Sequence, residues 1–145
     1  MTTMPQIAVA AGADDAVSAG STRDGVGSGY DRSSTTARLG ADWSVFRAIG
    51  LRFQNVTIPK GATINSASIT VYSSEYQTNA CSFTVYGQLH ANAPAFPASD
   101  SSDTTSGSPG YRTRTNNGTV WNAATWGANV PYTSPDLSAA LQEIV

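Results

Sequence analysis

The chain has 145 residues, a net charge of −2 and a charged fraction of 12%. A chain of this length buries roughly 70% of the surface that its unfolded form exposes, which is enough for one domain with a hydrophobic core. Ten acidic residues outnumber eight basic ones, so no basic surface is available to neutralise a row of phosphates, and we expect no nucleic-acid partner. Cys81 is the single cysteine, which excludes a disulfide within the chain. We interpret it as a small hydrophobic residue, with an intermolecular disulfide or a reactive thiol as the alternative.

The N-terminal part of the chain is weakly hydrophobic. Residues 1–17 lack a positive n-region and a long apolar run, so we expect no signal peptide, and no membrane-spanning segment is predicted anywhere in the chain. Residues 6–10 predict a first strand, whereas residues 11–40 are rich in Gly, Ser, Asp and Arg and predict a long loop. We therefore expect residues 1–40 to form an extended N-terminal arm ahead of a β-sandwich domain over residues 41–145.

Residues 46–73 show an alternation of apolar and polar residues on both sides of a Pro59-Lys60-Gly61 corner. The apolar positions of its two arms are Ile49, Leu51 and Phe53, followed by Ile64, Ala67, Ile69 and Val71. A period of two marks strands with one buried face, and a proline belongs at a strand end or edge. The pattern therefore predicts two consecutive strands.

The remaining strands follow from the same reasoning. Residues 81–91 alternate in the same way and predict a third strand. Residues 92–110 contain three prolines and predict a loop. Residues 111–122 predict two short strands joined by an Asn116-Asn117-Gly118 turn.

The end of the chain changes its period. Ser134-Pro135-Asp136 provides helix-start signals. The apolar residues that follow at helical spacing are Leu137, Leu141, Ile144 and Val145. We predict an all-β fold, a two-sheet β-sandwich of jelly-roll type, with a short C-terminal α-helix.

Residues able to support catalysis or metal binding are few. His90 is the only histidine and is interpreted as a surface or structural residue, because a hydrolase would need it beside a nucleophile in a cleft. The two glutamates, Glu75 and Glu143, fall in a turn and in the helix, so no carboxylate pair for glycoside hydrolysis is predicted. The loop aspartates are interpreted as solvated, with structural calcium binding as the alternative. We expect no enzyme, no catalytic residue, no metal site and no cofactor.

Trp121 and Trp126 lie five residues apart in the sequence and, together with Tyr132, allow two interpretations. As core residues they anchor the sandwich or contact a second subunit. As exposed residues they form a ligand platform on which sugar rings stack.

A resemblance supports the predicted fold. Residues 50–69, GLRFQNVTIPKGATINSASI, resemble the RF-xx-V-xIP-xGA-xIxxA-xI stretch of bacterial and phage β-sandwich domains. The close of the chain, from Val120-Trp121-Asn122 through Trp126 to Ser134 and Val145, resembles the same domains. A small domain of this kind without a signal peptide is similar to the decoration (cement) proteins of tailed phages. The resemblance implies a structural role in the virion and supplies no catalytic residues.

The expected function is that of a virion structural protein, a capsid decoration (cement) protein. It is expected to be made in the host cytoplasm and to bind the major capsid protein, or another virion protein, on the capsid surface. A protein that binds the assembled shell but not free subunits stabilises the shell by mass action. We expect a homo-oligomer, a trimer at a capsid three-fold axis, and no membrane association.

The predicted partner contacts lie in the N-terminal arm, which can order on binding. They are Arg23, Arg32 and Arg38, whose guanidinium groups suit acids on the shell, together with Tyr30. The alternative function is a carbohydrate-binding module or a tail-associated receptor-binding protein, which would use the platform of Trp121, Trp126 and Tyr132.

Overall fold

The computed structural model describes residues 12–20, 28–34, 41–42 and 45–145. The strands of these residues are β1 (Asp15–Gly20), β2 (Ser28–Asp31), β3 (Ala41–Asp42), β4 (Val45–Leu51), β5 (Thr70–Tyr72), β6 (Cys81–Gln88), β7 (Arg114–Ala123) and β8 (Pro131–Thr133). A 3-10 turn spans Pro109–Tyr111, and one α-helix, α1, spans Ser138–Gln142. All strand pairs are antiparallel. The prediction of an all-β fold with a short C-terminal helix is confirmed.

The described residues divide into two compact units. Unit 1 comprises the described residues up to Ile58 together with Ala93–Arg112, and unit 2 comprises Pro59–Asn92 and Thr113–Val145. The predicted boundary between arm and domain falls at residue 40, which lies outside the described residues, so that boundary stays a prediction. The strand predicted at residues 6–10 also lies outside them.

Unit 1 holds a sheet with the strand order β2-β1-β4-β3. β1 pairs with β4 along its whole length in a regular antiparallel register. The loop prediction for residues 11–40 is therefore wrong over β1 and β2. The hydrophobic pattern missed β1 because its buried positions hold the small residues Ala16, Ser18 and Ala19, which give no large apolar signal.

The small residues of this sheet make room for the loop that covers it. Phe96, which is 5% exposed, lies against the backbone of β4 at Gly50, where a Cβ atom would collide with the ring. Gly110 of the 3-10 turn approaches β1, with its N–H 3.4 Å from Ser18 Oγ. The core of unit 1 is therefore built from one large ring on a surface of small side chains.

Unit 2 holds two strand pairs, β5–β8 and β6–β7. Along β6, exposed Ser82 and Thr84 alternate with half-buried Cys81, Phe83 and Val85. The predicted third strand is thus present, with the predicted inward face, and it ends at Gln88.

The hairpin predicted over residues 111–122 is wrong, because β7 is one strand of 10 residues. Asn116 and Asn117 lie inside it, where the register between β6 and β7 shifts. Their backbone N–H groups donate to the Glu143 carboxylate at 2.8 and 2.6 Å. A tertiary contact therefore satisfies the groups that a local turn would have used.

The second arm of the central pattern forms a strand only at Thr70–Tyr72. Residues 62–69 are joined to the C-terminal segment largely through side chains. Ala67 N donates to Asp136 Oδ1 at 2.9 Å, and Ile64 N donates to Gln142 Oε1 at 2.9 Å. The strand is shorter than predicted because side-chain oxygens accept from the N–H groups of Ile64, Ala67 and Ile69. The backbone contributes only in the other direction, with Ser134 N donating to Ile69 O and Leu137 N to Ala67 O.

The C-terminal helix is confirmed, but it begins at Ser138, later than its start signal indicates. Asp136 closes the preceding turn, since its carboxylate accepts from Ser138 N at 3.1 Å and from Ser138 Oγ at 2.6 Å. Leu137 and Ala140 are buried, and α1 packs on β6 and β7. In the described part of the chain, no helix combines the length and the hydropathy needed to cross a bilayer.

Candidate interaction surface

A row of four aromatic rings joins the two strand pairs of unit 2. Trp121 is 6% exposed, and its ring centroid lies 5.2 Å from that of Phe83 and 5.7 Å from that of Trp126. Trp126 stacks on Tyr132 with centroids 4.4 Å apart and ring planes 5° apart. This packing favours the core interpretation of Trp121. The structure brings the three predicted platform residues together: Trp126 and Tyr132 are half-buried and stacked, and the buried Trp121 ring is tilted by 49° to Trp126.

A second group of aromatic residues faces outward from unit 2. Tyr72, the last residue of β5, is 70% exposed, and Tyr76 in the following loop is 66% exposed. Pro131, opposite Tyr72 in β8, and Val130 before it are also exposed. We call Tyr72, Tyr76, Val130 and Pro131 the exposed tyrosine patch. The sequence contained a signal for Tyr72, because the alternation that places Val71 inside places Tyr72 outside.

The loops of the exposed tyrosine patch are fastened to each other by backbone hydrogen bonds. Ser73 N donates to Val130 O at 3.1 Å, and Asn129 N donates to Ser73 O at 2.7 Å. Asn129 has a φ of 58°, a left-handed conformation that asparagine tolerates better than most residues. Farther along, Gln77 and Trp126 exchange both backbone hydrogen bonds, at 2.8 and 2.9 Å. The exposed rings therefore stand on loops whose backbone is already fixed.

Exposed rings on a fixed backbone suit protein recognition. Tyrosine is enriched in the centres of protein interfaces, where it supplies a large contact area. It has few rotatable bonds, so it loses little conformational entropy on binding. The fixed loops reduce that loss further.

Two of the four predicted partner contacts lie in the described residues, both in unit 1. The Tyr30 hydroxyl donates to Pro97 O at 2.6 Å, and Arg32 Nη1 donates to Phe96 O at 3.1 Å. Burial raises the pKa of Tyr30, an effect that the nearby Arg32 charge partly offsets. Both side chains thus fasten the end of β2 to the loop around Phe96. Arg23 and Arg38 lie outside the described residues, and partner binding by all four stays a prediction.

Arg112 organises the same loop of unit 1. It is 6% exposed, and its guanidinium carbon lies 4.0 Å from the centroid of the Phe96 ring. Its N–H groups donate to four backbone carbonyls at 2.7 to 3.2 Å, those of Pro94, Ala95, Ser106 and Gly107. Sequence reasoning missed this residue, because nothing in the Arg112 neighbourhood of the sequence marks it as buried.

Asp31, at the end of β2, and Asp103, in a loop, accept hydrogen bonds from residues that follow them in the chain. Asp31 accepts from Ser33 N at 2.7 Å, and Asp103 accepts from Thr105 N and Ser106 N at 2.7 and 2.6 Å. These bonds hold the pKa of both carboxyls below their usual range. Within the described ranges, no three His, Cys, Asp or Glu side chains converge on one point. The calcium alternative therefore gains no support from these residues.

His90 and Cys81 occupy separate local environments in unit 2. His90 Nδ1 accepts from Asn92 N at 3.1 Å, a contact within its own turn. Cys81 is half-buried, and burial raises the pKa of its thiol. The thiol is therefore protonated at neutral pH and a weak nucleophile, which favours its interpretation as a small hydrophobic residue.

No protein-family model, no curated protein and no solved structure matches the chain. The resemblance to decoration proteins of tailed phages therefore stays a prediction based on the sequence alone.

Proposed function

We propose that the protein is a virion structural protein, a capsid decoration (cement) protein that acts by binding and not by catalysis. The observation that carries this proposal is the exposed tyrosine patch of unit 2, with Tyr72 and Tyr76 70% and 66% exposed. The proposed partner is the major capsid protein, or another virion protein, on the outer surface of the assembled shell.

The mechanism is stabilisation by mass action. A protein that binds only the assembled lattice adds its binding free energy to the lattice, about 2.7 kcal/mol per site when its free concentration is 100 times the Kd. The patch suits this task because its two rings can enter pockets of a partner while the fixed loops keep their positions. The low net charge of −2 adds little long-range repulsion to packing on a crowded shell.

The test is a binding measurement on particles of the parent virus that lack this protein. The double variant Tyr72→Ser/Tyr76→Ser should bind such particles at least about tenfold more weakly, because tyrosine is enriched among the few interface residues whose truncation costs about 2 kcal/mol or more. The readout is the number of copies bound per particle across a range of protein concentrations, together with the particle's resistance to heat.

A matched control separates the patch from general loss of apolar surface. Val56→Ser removes an apolar side chain that is 43% exposed in unit 1 and should leave binding unchanged. Circular dichroism melting shows whether each variant is folded. Undiminished binding by the folded double variant would refute the proposal. If free oligosaccharide instead competes with the wild-type protein for binding to the particles, the result would refute the proposal in favour of the carbohydrate-binding alternative.

A further inference from the structure

Among the described residues, β6 is an edge strand of unit 2 without the usual protection against pairing. Of the described elements it packs only against β7 and α1. Its sequence, CSFTVYGQ, contains no proline, no lysine and no other charged residue. Natural edge strands usually carry such residues, or a bulge, because an open edge offers its backbone groups to another strand.

The backbone groups that face away from β7 can be identified. Gly87 N donates to Thr115 Oγ1 at 3.1 Å, and Leu89 N donates to Thr113 O at 2.9 Å, so these N–H groups point toward β7. The register shift near this point places the extra residues in β7, so the alternation of β6 is unbroken. The backbone groups of the even-numbered residues Ser82, Thr84 and Tyr86 therefore face outward along the open edge.

Burial in the strand pair is unequal in a way that points to a missing neighbour. On the inner face of β7, Trp121 and Ala123 are 6% and 5% exposed. On the same face of β6, Phe83 and Val85 are only half-buried, although they are the apolar residues of the alternation. A further strand beside β6 would cover both of them.

We propose that β6 pairs with β6 of a second copy of this chain, antiparallel about a two-fold axis at Thr84. The strand is self-complementary in this register. Thr84 faces Thr84 of the partner subunit, and Ser82 faces Tyr86 of the partner subunit. The outward-facing backbone N–H and C=O groups of the two strands therefore meet each other, and about six backbone hydrogen bonds form. On the inner face, Phe83 packs beside Val85 of the partner subunit, which buries the two half-exposed side chains.

This pairing predicts a dimer with a continuous sheet in the order β7-β6-β6-β7. An antiparallel pair of identical strands is isologous and closes at two copies, in contrast to the trimer expected from the sequence. The uncharged strand places no like charges at the axis. The pairing does not depend on the proposed role in the virion.

The experiment places charges at the two-fold axis and measures the mass of the full chain by sedimentation equilibrium at increasing concentration. The wild type should be a dimer. Thr84→Lys and Thr84→Glu should each weaken the dimer at least about tenfold, because like charges meet directly across the paired strands. An equal mixture of the two variants should restore it as a mixed dimer, which also shows that both variants are folded.

Val120→Lys is the matched control, because Val120 lies opposite Thr84 in β7 on the same outer face and is 54% exposed. This variant carries the same charge one strand away from the axis and should remain a dimer. A monomeric or trimeric wild type would overturn the proposal. So would dissociation by Val120→Lys with no effect of Thr84→Lys, since that result would place the contact on the sheet face and not on the β6 edge.

Discussion

Arg112 shows how a single side chain can replace secondary structure. The loop around Phe96 pairs with none of the described strands, and buried carbonyl groups without hydrogen bonds are costly. The guanidinium of Arg112 donates to four of these carbonyls in different directions, and its flat face covers the Phe96 ring. The loop and the ring that covers the sheet of unit 1 therefore depend on the same cation.

Arg112→Met should destabilise the protein by about 3 kcal/mol, because a thioether keeps the apolar contact but leaves the carbonyls without donors. Arg112→Lys should recover only part of this loss, since an ammonium group cannot match the planar fork of donors. Arg114→Met is the control. Its exposed guanidinium lies over Tyr86, with 4.9 Å from its carbon to the ring centroid, and its loss should cost less than about 1 kcal/mol. Urea unfolding measures all three, and equal losses for Arg112→Met and Arg114→Met would contradict this account.

At the scale of elements, the size of the buried side chains decided what the sequence could predict. β6 was predictable because Phe83 and Val85 are large enough to mark one face by alternation. β1 was not, because Ala16 and Ala19 are buried without giving such a mark. The loop that packs on this sheet, with the Phe96 ring against Gly50 of β4, comes from a distant part of the chain.

Competing long-range contacts explain the other differences. The Asn116-Asn117-Gly118 signal favours a turn locally, yet the Glu143 carboxylate from the end of the chain binds the two N–H groups within a strand. Side-chain hydrogen bonds of this kind leave no periodicity in a sequence. For the same reason the exposed tyrosine patch was only half predictable: alternation placed Tyr72 outside, but the pairing that fastens its loop to residues 126–131 could not be inferred.

The short helix α1 should depend on Gln142 more than on its own hydrogen bonds, since helices of five residues are not stable alone. The Gln142 amide accepts from Ile64 N at 2.9 Å and donates to Ala62 O at 3.0 Å, as a partner strand would. Gln142→Ala should therefore destabilise the protein by about 1 to 2 kcal/mol. Gln77→Ala is the control, because Gln77 pairs with Trp126 through its backbone. Urea unfolding compares them, and a loss no larger than that of the control would show that the amide does not hold the segment.

At the scale of the whole molecule, charge acts through single carboxylates placed where loops need an acceptor. Both units contain them: Asp14, Asp31 and Asp103 in unit 1, and Asp136 and Glu143 in unit 2. Asp14 forms an ion pair with Arg52 at 2.6 Å, whereas the others accept mainly from backbone N–H groups or serine hydroxyls. Each has its pKa lowered, for Asp14 by the Arg52 hydrogen bond first and for Glu143 by the Asn117 N–H first.

These lowered pKa values predict that acid destabilises the protein. A carboxyl whose pKa is lower in the folded than in the unfolded state stabilises the fold at pH values above its unfolded-state pKa. That pKa is 3.8 for aspartate and 4.5 for glutamate. This stabilisation is lost as the pH falls from the unfolded-state pKa through the lower folded-state pKa. The free energy of unfolding should therefore be nearly constant down to about pH 5 and should fall steadily below it. Asp136→Asn should make this fall shallower, because it removes one of the protonation steps. Urea unfolding at a series of pH values gives the slope directly. A free energy that rises on acidification, or an equal slope for Asp136→Asn and the wild type, would contradict the assignment of these carboxylates as loop-closing acceptors.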